Sequence, residues 1–314
     1  MSGLVRPPAP PLRSVLFAAG SDAGDLAKAL ASGADALIVD LEEPQTPMTP
    51  AVRDHARAIV AEFLDGCPPA GGSGPLLFCR VQAARTGGLW RDLQACLRPA
   101  LTGIAVPKSY GPADIIAADG VLSNAEAEAG RPLGTTWMYP IFETAEAIRD
   151  AHSIAMASSR IAYMGGAVSR FGDIHQALGY RWTAAGHETH WLRSKLLVDA
   201  RAAGIRYPIS GMWGGANDDL DGLRAFATEL RDLGYYGMML GNPDHIPLVH
   251  EIFSPSTEEV AYWEELARLG DEADRTGLGP VLYGDVNQGE GHVVHGAHIE
   301  SARLNLEWAR GLRR

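Results

Sequence analysis

The chain has 314 residues, enough for one large domain or two ordinary ones. Its 46% hydrophobic and 21% charged residues fit a globular protein and exclude disordered, collagen-like and coiled-coil classes. The net charge of −11 speaks against a general nucleic-acid binder, which needs a basic surface to neutralise phosphates, but leaves an anionic small molecule open.

The N-terminal segment MSGLVRPPAPPLRS has no apolar core of a signal peptide and predicts an extended, Pro-rich arm. No run approaches the roughly 18 apolar residues of a spanning helix, so no membrane partner is expected. From residue 14 onward, eight short apolar runs recur between turn residues: 14–20, 36–42, 76–82, 103–108, 135–143, 160–166, 207–213 and 235–241. They are near-continuously apolar rather than alternating, as parallel strands buried on both faces are. Most gaps hold helix-like text, such as 22–33 and 219–234, and Gly33, Gly204 and Gly234 follow helical stretches as C-terminal caps do. Eight strands with helical crossovers predict a (β/α)8 TIM barrel over residues 1–250, with a doubly wound open sheet as the competitor. Residues 251–314 read as a C-terminal helical extension or lid: a helix over 256–276, a Gly-rich loop over 277–292 and an amphipathic stretch over 298–312. Cys67, Cys79 and Cys96 are odd in number and show no CxxC spacing, which argues against a disulfide framework and for a reducing cytosol.

Active sites of such barrels lie at the C-terminal ends of the strands. Strand two ends in Asp40, Glu42 and Glu43, and strand three in Arg80 and Gln82. Strand four ends in Lys108 and strand five in Glu143. Strand six runs into Ser169, Arg170 and Asp173. Several carboxylates with Arg80 and Lys108 on one rim would suit a divalent cation such as Mg2+ holding an oxyacid, because hard cations take oxygen ligands and polarise carbonyls. Arg80 is the natural fork for a substrate carboxylate. Charged residues also end strands simply because the chain leaves the core there, and that reading stays open beside the chemical one.

At these residues the chain resembles the citrate lyase beta-subunit-like branch of the HpcH/HpaI aldolase superfamily. The resemblance runs over roughly residues 14 to 310. It rests on RSVLFAAG (13–20), GADALIVDLEEP (33–44), CRVQ (79–82), GIAVPK (103–108), PIFETAEAI (140–148), LVDARAAGI (197–205), YPISG (207–211) and FSPSTEEV (253–260). It implies a TIM barrel, commonly assembled as a homotrimer or homohexamer. It implies cleavage or formation of C–C bonds in 3-hydroxy acyl thioesters or related oxyacids, through an enolate held by Mg2+, with Mn2+ as the alternative. Arg80 would bind the substrate carboxylate and Glu143 the metal. Asp40, Glu42 and Glu43 would sit behind them, orienting water and Arg80.

The departures from the family are equally specific. Its second metal ligand is an Asp in a Gly-Ala-x-Asp motif after strand six, where this chain has Gly166-Ala167-Val168-Ser169. Asp173 lies four residues on, and in a helix that is about 6 Å away, too far for a metal ligand simply to be moved. Asp173 replaces the lost ligand only if the loop takes a different path. The family's Asp-Gly after strand seven is Ser210-Gly211, and its coenzyme A-associated His-Pro is Asn242-Pro243. Its C-terminal catalytic Asp corresponds to His295.

Smaller signals remain. His175, His187 and His190 could supply a base or a softer metal site, and Arg170 a second anion grip; incidental surface positions are the competing reading. His292, His295 and His298 would share a helix face if that stretch is helical. The Asn217-x-Asp219-x-Asp221-Gly222 pattern starts like an EF-hand but has Thr228 at position twelve, so a helix cap is expected there. The sequence thus predicts a Mg2+-dependent carbon–carbon lyase or aldolase for a small anionic oxyacid or its CoA thioester. Arg80, Glu143, His175 and His295 would be catalytic, Arg80, Lys108, Ser169 and Arg170 substrate-binding, and Glu143 and Asp173 metal-binding. A barrel that has lost the chemistry and binds a ligand is the alternative.

Overall fold

Each of the eight apolar runs yields a strand in the computed structural model, which describes residues 4–277, 281–284 and 291–312. The strands are β1 (Ser14–Ala19), β2 (Ala36–Asp40), β3 (Leu76–Arg80), β4 (Gly103–Val106), β5 (Trp137–Phe142), β6 (Gly165–Gly166), β7 (Ile209–Met212) and β8 (Gly237–Leu240). Between and after them run α1 (Ala23–Leu30), α2 (Pro50–Asp65), α3 (Leu89–Cys96), α4 (Pro112–Glu128), α5 (Ala145–Arg149) and α6 (Ala151–Ala155). They are followed by α7 (Asp173–Leu178), α8 (His187–Ala202), α9 (Leu220–Leu233) and α10 (Ile246–Ile252). The strands pair in the order β6-β5-β4-β3-β2-β1-β8-β7, all parallel.

Two backbone bonds close the ring: Ile209 N–H donates to the Met164 carbonyl at 3.2 Å, and Met212 N–H to the Val168 carbonyl at 3.1 Å. The fold is therefore the (β/α)8 TIM barrel, not the open sheet. Its interior is filled by Val15, Ile38, Phe78, Ala105, Tyr139 and Ile209. A second, larger apolar layer lies between the strands and the helices, built from Leu37, Val39, Leu77, Ile104 and their helix partners. Two apolar layers, one on each face of the strands, are why those runs do not alternate.

Local chemistry sets the helix starts. Thr49 caps α2, with Pro50 in its first turn, and Asp219 caps α9 by accepting from Gly222 N–H. The EF-hand-like pattern is thus a helix cap, as expected. The N-terminal arm is irregular but held: the Arg6 guanidinium donates to the carbonyls of Ala155, Ser158, Ile161 and Ala203, and the Tyr163 hydroxyl to the Pro10 carbonyl.

The sixth strand differs most from expectation. Of the run 160–166, Ile161 makes one bridge to Met138 and only Gly165–Gly166 forms a strand. The chain then turns sharply, with φ of +119° at Gly166 and +67° at Ala167. The opposing strand β7 is irregular between Ser210 and Met212. A Cβ on Gly211 would lie 2.2 Å from the Val168 carbonyl oxygen, so glycine is what lets the two chains approach here.

The chain divides into two units, one ending at Phe253 and the other beginning at Ser254, so the boundary expected at 250 falls inside α10. In the second unit, α11 (Thr257–Thr276) begins with a capping box between Ser256 and Glu259. It packs with α12 (Gly296–Gly311), and β9 (Val281–Tyr283) pairs antiparallel with β10 (His292–Val294). Of the Gly-rich loop expected at 277–292, residues 278–280 and 285–290 lie outside the described residues. Among the described residues no helix is long and apolar enough to cross a membrane.

Candidate active site

The register of β2 and β3 sets Asp40 directly opposite Arg80 at the C-terminal ends of both strands. Their side chains then meet in a fork: Arg80 Nε donates to Asp40 Oδ1 at 2.9 Å and Nη2 to Oδ2 at 2.6 Å. Asp40 also accepts the backbone N–H groups of Glu42 and Glu43, which turns the chain after β2 back over the rim. Arg80 Nη1 lies 3.1 Å from Glu42 Oε2, close enough for an ion pair but out of line for a hydrogen bond. Burial alone would lower the Arg80 pKa, but the bonds to Asp40 and the charges of Glu42 and Glu143 hold it above its ordinary value. The guanidinium sits 5.4 Å from the ring centre of Phe17 on β1.

Lys108 and Glu143 follow β4 and β5. The Lys108 backbone N–H donates to Glu143 Oε1 at 2.8 Å, while its ammonium lies 3.0 Å from Glu42 Oε1, 2.6 Å from Glu43 Oε1 and 3.6 Å from Asp173 Oδ2. Burial pushes the Glu143 carboxyl up to about 7, aided by the nearby charges of Glu42 and Asp173 and opposed by Arg80 and the Lys108 N–H. Burial also raises Glu42, against the pull of Arg80 and Lys108. Five carboxyl groups, those of Asp40, Glu42, Glu43, Glu143 and Asp173, thus share this rim with two cationic side chains.

The loop after β6 is not helical between Ser169 and Asp173. Its φ is +63° at Phe171, and Asp173 is the first residue of α7. Ser169 and Asp173 consequently both line one cavity of about 260 Å³. Arg80, Glu43 and Glu143 form the rest of its polar wall, and Phe17, Ile141, Met212 and Met239 are among its apolar lining. Three non-glycine residues are in the left-handed region: Ala167 lines the cavity, Lys108 pairs with the acidic rim, and Phe171 is exposed in the loop between Ser169 and Asp173; such strain collects near functional sites.

Other expected residues lie elsewhere. Arg170 does not line the cavity; its guanidinium lies over Phe171 at 4.7 Å and Trp182 at 5.2 Å and reaches the Gly214 carbonyl. His175 packs edge-on against Tyr180 at 4.9 Å, outside the cavity lining. Its neighbour Tyr180 holds the Ser169 backbone, donating to its carbonyl at 2.6 Å and accepting from its N–H at 3.3 Å. His187 is exposed, and His190 Nδ1 lies 3.1 Å from Glu229. In the second unit, His292 is in β10, His295 caps α12 and His298 lies within it, so the three do not share a helix face. The sequence reading missed Phe17 and Tyr180. Phe17 had a signal, since it shares the inward parity of Val15 on β1, whereas nothing local marks Tyr180 as the partner of Ser169.

Fold and rim together define an α/β barrel with a carboxylate-rich rim at the C-terminal ends of its strands. The chain belongs to the HpcH/HpaI aldolase/citrate lyase family, which it matches over residues 13–243. It is 28% identical over 303 residues to citrate lyase subunit beta of Haemophilus influenzae, covering 95% of this chain and 97% of that protein. It is 29% identical over 323 residues to L-malyl-CoA/beta-methylmalyl-CoA lyase of Cereibacter sphaeroides, covering 96% of each. The crystal structure of CitE from Mycobacterium tuberculosis, in complex with magnesium, acetoacetate and coenzyme A, superposes with a TM-score of 0.68 at 24% identity. That superposition covers 96% of this chain and 98% of the other.

Proposed function

We propose that the protein is a Mg2+-dependent carbon–carbon lyase or aldolase acting on a 3-hydroxy or 2-oxo acid, free or as its CoA thioester. The observation that carries the reading is the cavity in which Glu143 and Asp173 stand together with Arg80. The names of the relatives, citrate and malyl-CoA lyases, and the magnesium and coenzyme A in the M. tuberculosis structure support it.

The rim fits a divalent cation. Five carboxyl groups face two cationic side chains, and Glu143 is pushed up to about 7 by burial, with the charges of Glu42 and Asp173 adding to it. Glu143 and Asp173 would hold the ion, Mg2+ or Mn2+. Among the described residues no group of three or more acidic, His or Cys side chains is arranged to hold a metal by itself, so the protein would supply one or two carboxylates and leave the rest to substrate and water, as Mg2+ sites usually do. When bound, the ion would polarise the substrate carbonyl and stabilise the charge that develops on cleavage.

The chain's own residues divide the remaining work. Arg80, held by Asp40 through Nε and Nη2 and paired with Glu42 through Nη1, lines the cavity and would bind a substrate carboxylate there. Phe17, Ile141, Met212 and Met239 give the cavity a dry side, which strengthens these charge contacts. In a 3-hydroxy acid the C2–C3 bond breaks as the hydroxyl gives up its proton. C3 becomes a carbonyl, and the electron pair moves onto C2 and its neighbouring carbonyl as an enolate, which is then protonated. A cavity of about 260 Å³ holds the small acid but not a coenzyme, so a thioester would extend through the mouth.

The test is product analysis for a panel of 3-hydroxy acids, free and as CoA thioesters, with and without Mg2+. Cleavage that requires Mg2+ and is lost in Glu143→Ala supports the reading. No turnover on the panel, with ligand binding indifferent to Glu143→Ala, sinks it. One observation favours a second reading: Ser169 stands where the resemblance expects a metal-binding Asp. A barrel that binds an oxyacid without turning it over would show calorimetric binding of the acid but none of Mg2+ or Mn2+.

A further inference from the structure

Lys108 is the most heavily shared residue of the rim, and its backbone is left-handed, with φ of +47°. A lysine holds that conformation only against a cost that other contacts must offset. The conformation lets one residue grip both proposed metal ligands. Its amide N–H holds Glu143 at 2.8 Å, and its ammonium stands 3.6 Å from Asp173. The two grips are unequal. The amide bond occupies one oxygen of Glu143 and leaves the other for a cation. The ammonium opposite Asp173 is itself a cation on that carboxylate, and it competes with any metal for it.

The competition is poised to be lost. The Asp173 contact is the longest of the three that the ammonium makes, against 3.0 Å to Glu42 and 2.6 Å to Glu43. Moving away from Asp173 leaves the ammonium still paired. Its side chain is 27% exposed and that of Asp173 33%, so both can move without unpacking the core.

We infer that Lys108 is a resting counter-ion of Asp173: in the metal-free protein its ammonium stands beside that carboxylate while paired with Glu42 and Glu43, and a divalent cation enters by displacing it from Asp173, leaving it on Glu42 and Glu43. Lys108 is then a positioning residue that sets how weakly the free protein binds metal. The inference rests on the reading of Glu143 and Asp173 as metal ligands.

A double-mutant cycle separates the two. Mn2+ binding is followed by loss of the free-ion electron paramagnetic resonance signal near neutral pH. The proteins are wild type, Lys108→Met, Asp173→Asn and the double variant, with Lys108→Arg as the charge-preserving control. Removing a competing ion pair that is only partly exposed tightens Mn2+ by about tenfold. The expected result is that tightening in Lys108→Met, near-wild-type affinity in Lys108→Arg, and no tightening by Lys108→Met once Asp173 is Asn. Unchanged or weaker binding in Lys108→Met overturns the inference. So does equal tightening in both backgrounds, which would make Lys108 a remote charge only. If Asp173→Asn binds Mn2+ as tightly as wild type, the ligand assignment itself is overturned, and the inference with it. Should Lys108→Met not fold, Lys108→Gly keeps the amide and the left-handed backbone while removing the ammonium, and the same outcomes decide.

Discussion

Asp40 and Arg80 are paired twice, once by the register of β2 and β3 and again by a fork of two hydrogen bonds between their side chains. The backbone fixes the distance and the side chains fill it, so Arg80 cannot swing far from the rim. The side chains are only 10% and 13% exposed. Asp40→Asn removes the charge of one partner and leaves Arg80 with the charges of Glu42 and Glu143. Breaking a buried pair from one side costs about 3 kcal/mol, to be read from the urea midpoint at constant m-value. If Asn at 40 is neutral for both stability and substrate affinity, Asp40 does not position Arg80.

Arg80→Lys keeps the positive charge but loses the planar fork that spans Asp40 and the cavity. Substrate affinity is expected to fall by about a hundredfold in kcat/KM, with the loss mainly in KM. An unchanged KM would place the substrate carboxylate elsewhere.

Glu143→Gln keeps the shape of the side chain and removes its charge. Because burial already pushes this carboxyl up to about 7, the charged form is the one the folded, metal-free protein disfavours. The metal-free variant is therefore expected to be at least as stable as wild type above that pH, by calorimetric Tm, while Mg2+-dependent turnover drops by about a thousandfold. A variant that loses stability and activity together would show Glu143 to be structural.

Away from the site, His250 on α10 reaches across to β1, its Nε2 2.7 Å from Ser14 Oγ. Burial lowers its pKa from the ordinary 6.5, and Arg13 adds to this while Asp35 opposes it. The unfolded chain therefore binds a proton that the folded chain resists, and the sign follows from linkage. The contribution is fully present above 6.5, the unfolded value, and is lost as pH falls from there through the lowered folded value. His250→Gln should flatten the fall in urea midpoint on going from mildly basic to mildly acidic buffer. An identical slope in both proteins would assign the acid sensitivity to other groups.

Gly211→Ala probes the closure of the barrel. The added Cβ would meet the Val168 carbonyl oxygen at 2.2 Å, and backbone cannot yield as a side-chain tip can. A loss of about 2–4 kcal/mol is expected, with weaker substrate binding because Gly211, Val168 and Ser169 line the same cavity. Wild-type stability would mean that the β6–β7 junction is open in solution.

The sequence by itself determined the repeat. Eight apolar runs buried on both faces, with helices between them, point to a parallel α/β fold, closed into a barrel only by the bonds between the sixth and seventh strands, and such a barrel gathers its strand ends on one rim. That is why Arg80, Glu143 and the acidic run 40–43 could be named without coordinates: hydrophobic periodicity places the ends of strands, and Asp40, Arg80 and Glu143 end strands or directly follow them. The paths of the loops were not legible. Whether Asp173 reaches the cavity of Ser169 depends on the left-handed turns at Ala167 and Phe171, the first of them held by a bond from the Ala167 N–H to the distant Phe142 carbonyl. Arg170 and His175 read as site residues because they flank Asp173 in sequence, yet Trp182 and Tyr180 draw them away. Lys108 was expected to meet substrate, and its pairing with three carboxylates, two from the turn after β2 and one from α7, was not legible in the sequence. Periodicity is a local property of the chain; the balance of five carboxyl groups against two cations exists only where five segments are brought within a few ångströms by the closed barrel.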